Sequence, residues 1–227
     1  MKRAIFTFYN MQIERKMIDL HHQVVKKYNN IENCDFLPLE YQKEDGEIYP
    51  DDAMNYGINH IFYDLNYDTV LILEVDCLPL SKNSFDYTFS AAEKGILVGN
   101  TQRSGHIKND EHVYIAPSTF CLTKKLYEKL GKPSFAPTIR GDIAEEYTYI
   151  CEEKNIPTEK FYPKSFIRRN IRQDIWHLGK QTKNMEYGIG TTFINKNEEK
   201  MFFHLFESRY HIWNDIFFDK CLELLNT

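Results

Sequence analysis

The segment LILEVDCLPL carries two carboxylates, Glu74 and Asp76, at positions i and i+2. They close a run of apolar residues of strand length. On a strand, i and i+2 project to the same side. At the carboxyl end of a parallel strand that side faces the crevice in which α/β sheets bind ligands. Two hard oxygen donors there suit a divalent cation such as Mg²⁺ or Mn²⁺, an ion that also takes phosphate oxygens. Acids also end buried strands simply because the chain meets water there, so the pair alone does not decide its own role.

The elements around the pair must place it. A strand is expected over Ala4 to Tyr9. Ile13, Met17, Leu20, Val24 and Tyr28 then step by three and four, which puts them on one helical face. CDFLPLEY reads as a short second strand ending near Pro38, followed by a polar loop from Gln42 to Tyr49. Met54, Ile58, Ile61 and Leu65 give a second helical face, starting around Asp51. DTVLILEVD is continuously apolar up to its acids, the pattern of a strand covered on both faces. A helix or turn over Ser84 to Lys94 and a strand at GILVGN follow. This alternation predicts an α/β fold with a mostly parallel central sheet flanked by helices.

The second half is less regular. HVYIAPSTFCLT predicts a strand, with an antiparallel return as one option, and Lys124 to Leu130 a helix closed by Gly131. GDIAEEYTYICEEKN predicts a helix with Ile143, Tyr147, Ile150 and Cys151 on its apolar face. KFYPKSF is strand-like, QDIWHLG lies in a loop, and an amphipathic helix runs from Ile212 to Leu225. Gly188 and Gly190 in EYGIGTTF form too short a motif for a phosphate loop and read as turns.

The chain has 227 residues, enough for a substantial core. Its 16 Phe and 15 Tyr are first of all core material. A net charge of −5 argues against broad binding to a phosphate backbone. Arg168, Arg169, Arg172, Lys180 and Lys183 still form a local basic stretch, read first as a solvated face. Five scattered cysteines without a C-x-x-C suggest neither a disulfide framework nor a zinc site, and fit a reducing, cytoplasmic setting. No segment approaches the ~20 apolar residues of a membrane span, and no signal peptide opens the sequence.

VLILEVDCLPL, with the upstream MNYGINHIFYDLNYD and the opening AIFTFYN, resembles the GT-A nucleotide-sugar glycosyltransferases. Members of that family carry an apolar strand closed by D-x-D, often with Pro a few residues on. The resemblance covers roughly residues 4 to 130 and implies a GT-A-like fold in one domain. Residues 1–105 would bind the nucleotide sugar and 106–227 the acceptor. It further implies transfer of a sugar, UDP-linked by preference, to a glycan or other hydroxyl, helped by Mn²⁺ or Mg²⁺. Thr7, Phe8 and Tyr9 would line the donor pocket, with Asn55 and Gly57 nearby.

Asp76 would ligate the metal. Glu74 stands where the family usually has Asp, so it would act on the ribose, through a water, or on the metal. His204, in MFFHLFESR, would be a further metal ligand from the C-terminal region. Arg209 would meet the diphosphate. An inverting transferase needs a carboxylate base, for which Asp142 and Glu145 are the candidates. A capping-box-like helix start accounts for the same two residues. Glu146, Trp176 and His177 complete the acceptor candidates. Two alternatives stand beside this reading. One is a metal-dependent nuclease, although the Lys expected two residues after the Glu is here Asp76. The other is a non-catalytic nucleotide-sugar binding module. A nucleic-acid acceptor is open but not favoured, and the oligomeric state is not legible.

Overall fold

The computed structural model describes residues 1–41, 50–103, 112–168 and 187–227. Among these residues nine strands form one hydrogen-bonded sheet in the order β2-β1-β3-β6-β5-β7-β8-β9-β4. Their bounds are Arg3–Tyr9 (β1), Cys34–Glu40 (β2), Thr69–Leu73 (β3), Cys77–Pro79 (β4) and Leu97–Arg103 (β5). The rest are Val113–Thr123 (β6), Thr158–Arg168 (β7), Ile189–Ile194 (β8) and Lys200–His204 (β9). β1, β2, β3, β5, β7 and β9 run one way, and β4, β6 and β8 run against them. Six of the nine strands thus share one direction, as the alternation of elements predicts, while three of the eight neighbouring pairs are parallel and five antiparallel.

Among the described residues six α-helices cover it: α1 (Arg15–Tyr28), α2 (Pro50–Asn59), α3 (Lys82–Ala92), α4 (Lys124–Leu130), α5 (Glu145–Glu153) and α6 (Asn214–Asn226). β3 decides how they divide. All five of its residues are buried. Leu71 and Leu73 point into a core with Met17 and Val24 of α1, Phe85 and Phe89 of α3, and Phe217 and Cys221 of α6. Val70 and Ile72 point into a second core with Met54 and Ile58 of α2, Leu126 of α4 and Tyr147 of α5. A strand with apolar side chains on both faces needs a layer on each, and the helices supply three per face.

Local chemistry sets several boundaries differently from expectation. β2 continues past Pro38 to Glu40. It lies at one end of the sheet, and a proline lacking an N–H is tolerated on such an edge. Leu65, expected on the buried face of α2, is 37% exposed. The helix widens into a π turn at His60–Asp64, and the extra residue rotates Leu65 out of line. α5 starts at Glu145, not at Asp142, because Ala144 takes a left-handed backbone with φ 65°. The final helix starts at Asn214, leaving Ile212 57% exposed before it. Gly190 is a strand residue of β8, held at φ +70°. A Cβ there would also crowd Ile216 and Phe203 at 3.1 Å. Gly131 closes α4 at φ 94°, as expected.

Candidate functional site

Glu74 and Asp76 do not lie on the strand itself. β3 ends at Leu73, and the acids sit in the turn that leads into β4. The strand-alternation argument therefore does not apply to them. The turn is fixed by its backbone: the Cys77 N–H donates to the Glu74 carbonyl at 2.9 Å, and the Glu74 N–H to the Ser118 carbonyl at 3.2 Å. β4 then pairs antiparallel with β9, placing Cys77 opposite His204. The Leu205 N–H donates to the Asp76 carbonyl at 3.0 Å, which locks the two segments together.

This pairing brings together side chains far apart in sequence. His204 Nε2 lies 3.4 Å from Asp76 Oδ1 and 3.7 Å from Glu74 Oε2. One ligand atom from each of the three residues falls within 4.8 Å of the others. Asp76 Oδ2 accepts a hydrogen bond from the Ser208 hydroxyl at 2.6 Å. Asp76 Oδ1 is buried and makes no hydrogen bond of good geometry; its polar neighbour is His204 Nε2, in an ion-pair contact at 3.4 Å. A buried carboxylate oxygen held only by such a contact leaves room for a further cation. Two carboxylates and an imidazole within this span form a donor set that could hold a divalent metal.

The titration of the group reflects the crowding. Burial pushes Glu74 up to about 7, and the Asp76 charge adds to the effect. Burial acts in the same sense on Asp76, but the His204 charge and the Ser208 hydrogen bond outweigh it and hold Asp76 below its ordinary value. For His204, burial favours the neutral ring, and the neighbouring Asp76 and Glu74 overcome it and raise its pKa. His21 of α1 is the contrast. It is equally enclosed, burial followed by the neighbouring His22 drives it down to about 3, and the attraction of Asp76 is too weak to reverse this.

Two clefts meet at Glu74, Asp76 and Ser208, and His204 lines the first of them. The first, of about 260 Å³, is lined by Glu74, Asp76, His204, Ser208, Arg209 and Asp142, with Tyr114 and Gln102 among the other walls. The second, of about 170 Å³, is lined by Phe8, Tyr9, Asn10, Tyr41, Pro50 and the same Glu74, Asp76 and Ser208. The first combines charged groups with a few rings. The second is a narrower slot walled by aromatic side chains from the end of β1.

The remaining candidates separate into those at the clefts and those elsewhere. Phe8 and Tyr9 line the slot. Thr7 does not: it is fully buried, and its hydroxyl donates to the Leu73 carbonyl at 2.8 Å, tying β1 to β3. Asn55 is spent on the chain at 134–135, donating to Ser134 Oγ and accepting from the Phe135 N–H. Gly57 is a packing position, where a Cβ would come 2.3 Å from the Phe6 ring. Arg209 reaches the first cleft, largely exposed, and pairs with Glu207 at 3.2 Å.

Asp142 lines the first cleft, whereas Glu145 is fully buried and bonded to His112. Glu146 is held by Arg140 at 2.5 Å. Trp176 and His177 lie outside the described residues, as do Arg169, Arg172, Lys180, Lys183 and the loop from Gln42 to Tyr49. Tyr114, Gln102 and Glu207 are cleft residues that the sequence reading missed. They come from β6, β5 and the stretch after β9, where no spacing distinguishes a cleft residue from any other.

No protein-family model matches the chain, and no curated protein sequence does so either. Its fold does have counterparts among solved structures. A glycosyltransferase involved in glycosylation of the PBCV-1 major capsid aligns over 57% of this chain and 63% of its own, with 13% identity and a TM-score of 0.42. The 4-diphosphocytidyl-2C-methyl-D-erythritol synthase of Anaerococcus prevotii aligns over 70% and 88%, with 16% identity and a TM-score of 0.44. The catalytic domain of Drosophila β1,4-galactosyltransferase 7, solved in complex with xylobiose, aligns over 92% of this chain and 72% of its own. There the identity is 13% and the TM-score 0.50. The chain thus has a GT-A-like α/β fold, similar in architecture to that galactosyltransferase domain.

Proposed function

We propose that the protein is a metal-dependent glycosyltransferase that moves a sugar from a nucleoside diphosphate sugar, preferably UDP-linked, to an acceptor hydroxyl. One observation carries this reading: Glu74 and Asp76, clustered with His204, lie where two clefts adjoin, one a slot with aromatic walls and the other charged. A sugar transferase needs a site for a flat nucleoside, a site for an acceptor, and positive charge between them for the diphosphate. The fold likeness to a galactosyltransferase domain is compatible with that division.

In this reading Asp76 and His204 hold a Mn²⁺ or Mg²⁺ ion, with Glu74 beside them on the metal or the ribose. A divalent ion held there would neutralise charge on the departing diphosphate. Phe8 and Tyr9 wall the nucleoside slot, and Arg209 is near enough to the same junction to meet phosphate oxygens. Asp142, on the wall of the first cleft, takes the proton of the acceptor hydroxyl as its oxygen attacks the anomeric carbon. The bond from that carbon to the diphosphate breaks in the same displacement. Residues 1–105 form the donor half and 106–227 the acceptor half of one domain. Five free cysteines suit a reducing compartment, and we assign the enzyme to the cytoplasm. Among the described residues no helix is long and apolar enough to cross a membrane.

The test is a thermal-shift screen of nucleoside diphosphate sugars with Mn²⁺, followed by turnover of the donors that bind. A UDP-sugar should stabilise the protein only with the metal, and Asp76→Ala should lose the effect. Cleavage of nucleic acid, with indifference to every nucleotide sugar, would sink the proposal.

A further inference from the structure

We infer that Glu145 and His112 are positioning residues that hold Asp142 on the wall of the cleft it shares with Glu74, Asp76 and His204. This rests on the proposed role of Asp142 as acceptor base. Asp142 sits in a turn between Gly141 and α5, in a place where a short polar loop has many alternatives open to it. The turn is nevertheless pinned from beneath. The Asp142 N–H donates to Glu145 Oε2 at 2.7 Å, and the Glu145 N–H returns to the Asp142 carbonyl at 3.0 Å. The Ala144 N–H donates to the Phe135 carbonyl at 3.0 Å, fixing the left-handed residue between them.

Glu145 does this from a wholly buried position. Its other oxygen, Oε1, lies 2.5 Å from His112 Nδ1. The His112 ring is itself held on two sides. It stacks on Tyr149 at 4.0 Å and 14°, and its Nε2 lies 3.2 Å from Glu152. The backbone also fits around the carboxylate: a Cβ at Gly141 would come 3.1 Å from the Glu145 side chain, so the chain passes against it at closer range than a larger residue allows. A buried carboxylate with both oxygens engaged is a rigid anchor. It has no exposed oxygen to offer a substrate. Sequence reading pairs Asp142 and Glu145 as equivalent base candidates, whereas the geometry makes Asp142 the group at the cleft and Glu145 the one that aims it.

The two roles respond differently to an amide. Glu145→Gln keeps a carbonyl oxygen for the Asp142 N–H and an NH₂ for His112, so a positioning role survives it. A base would not survive it. Displacing a reacting group by about 1 Å costs roughly 100-fold. Glu145→Ala should therefore lower kcat for transfer by roughly 30- to 100-fold, with binding of donor and metal unchanged. Glu145→Gln should return to within about threefold of wild type. His112→Ala should give a milder form of the alanine pattern, and it carries the test with Glu145→Gln if Glu145→Ala does not fold.

Amide hydrogen exchange at Asp142 supplies a readout without activity. It should quicken by about tenfold or more in Glu145→Ala, and in His112→Ala to a lesser degree, but not in Glu145→Gln. A Glu145→Gln protein as inactive as Asp142→Asn would overturn the inference, as would unchanged exchange at Asp142 in the folded alanine variants. A wild type that transfers from no donor defeats the glycosyltransferase reading instead, and the exchange measurement still decides whether Glu145 pins the turn.

Discussion

Two regions of this molecule bury acids against a histidine, and they do so to opposite effect. Around β4 and β9, Asp76 and Glu74 face His204 across 3.4 and 3.7 Å, and Asp76 Oδ1 makes no hydrogen bond of good geometry. At the start of α5, Glu145 faces His112 at 2.5 Å and an amide at 2.7 Å, and both of its oxygens are engaged. The first arrangement is too loose and too negative to be complete on its own. The second is closed. A buried charge satisfied by its own chain is scaffold, and one left wanting a partner marks a place where something else binds. Proximity of acid and histidine alone does not distinguish the two; the hydrogen-bond inventory does.

The widest gap between the regions should appear when an acid is removed from each. Asp76→Ala takes a ligand from the open cluster. Metal affinity, measured by calorimetry with Mn²⁺, should fall by more than about 100-fold, the upper range seen for outer-shell changes, and transfer should fall with it. Unchanged metal binding would break the comparison at its first term. Asp142→Asn removes the proposed base beside the closed region. Transfer should drop by about 100- to 10,000-fold while metal affinity stays at the wild-type value. Equal losses of metal binding in both variants would show that the two regions form one site and are not separable.

Protons give a finer separation. Glu74 titrates near 7 and His204 above its ordinary value, so both carry protons in weakly acid solution. Metal binding needs the carboxylate ionised and the ring neutral. Raised values in both groups mean that protons leave when the ion enters, and affinity therefore climbs as pH rises. The climb should approach about tenfold per pH unit for each proton released from about pH 5 up to about 7, the value to which Glu74 is raised, and level off above it. Calorimetry in buffers of different ionisation enthalpy counts those protons. Affinity that is flat across this range, or that falls with rising pH, would contradict the assignment of Glu74 and His204 to the ion.

The same contrast explains what could be read from the sequence. The buried run at Thr69–Leu73 and the helical faces of α1 and α2 follow from periodicity, because burial on both faces of a strand leaves a continuous apolar signature. The acid pair was visible for the same reason, as the abrupt end of that run. What brings His204 to it was not. β4 is three residues long, too short for any pattern, and its pairing with β9 is a contact across more than a hundred positions. The resemblance to a family supplied His204 where spacing could not. On the acceptor side, Asp142 and Glu145 look alike in sequence, since an acid three residues before an acid fits a helix cap and a catalytic pair equally well. Only the left-handed backbone at Ala144 and the bond from His112 to Glu145 separate them. Thr7, Asn55 and Gly57 show the converse: they lie on the segments expected to line the donor site, yet Thr7 and Asn55 turn their side chains to strand and loop support, and the bare backbone of Gly57 packs against the Phe6 ring.

The smallest effect tests how the open cluster is kept open. Ser208 donates its hydroxyl to Asp76 Oδ2 at 2.6 Å, which occupies one oxygen of the carboxylate and leaves Oδ1 turned toward His204. Without that hydrogen bond Asp76 is free to rotate, and its pKa, held low in part by Ser208, rises toward that of a protonated acid that binds no metal. Ser208→Ala should weaken metal affinity by about tenfold, the lower range for a group that orients a ligand. The loss should shrink as pH rises, because protonation of Asp76 no longer competes with the ion. A tenfold loss that is the same at every pH would assign Ser208 to orientation alone. No loss at all would mean that β4 and β9 fix Asp76 through the Leu205–Asp76 backbone bond without help. The difference between the two regions would then lie entirely in the sheet pairing.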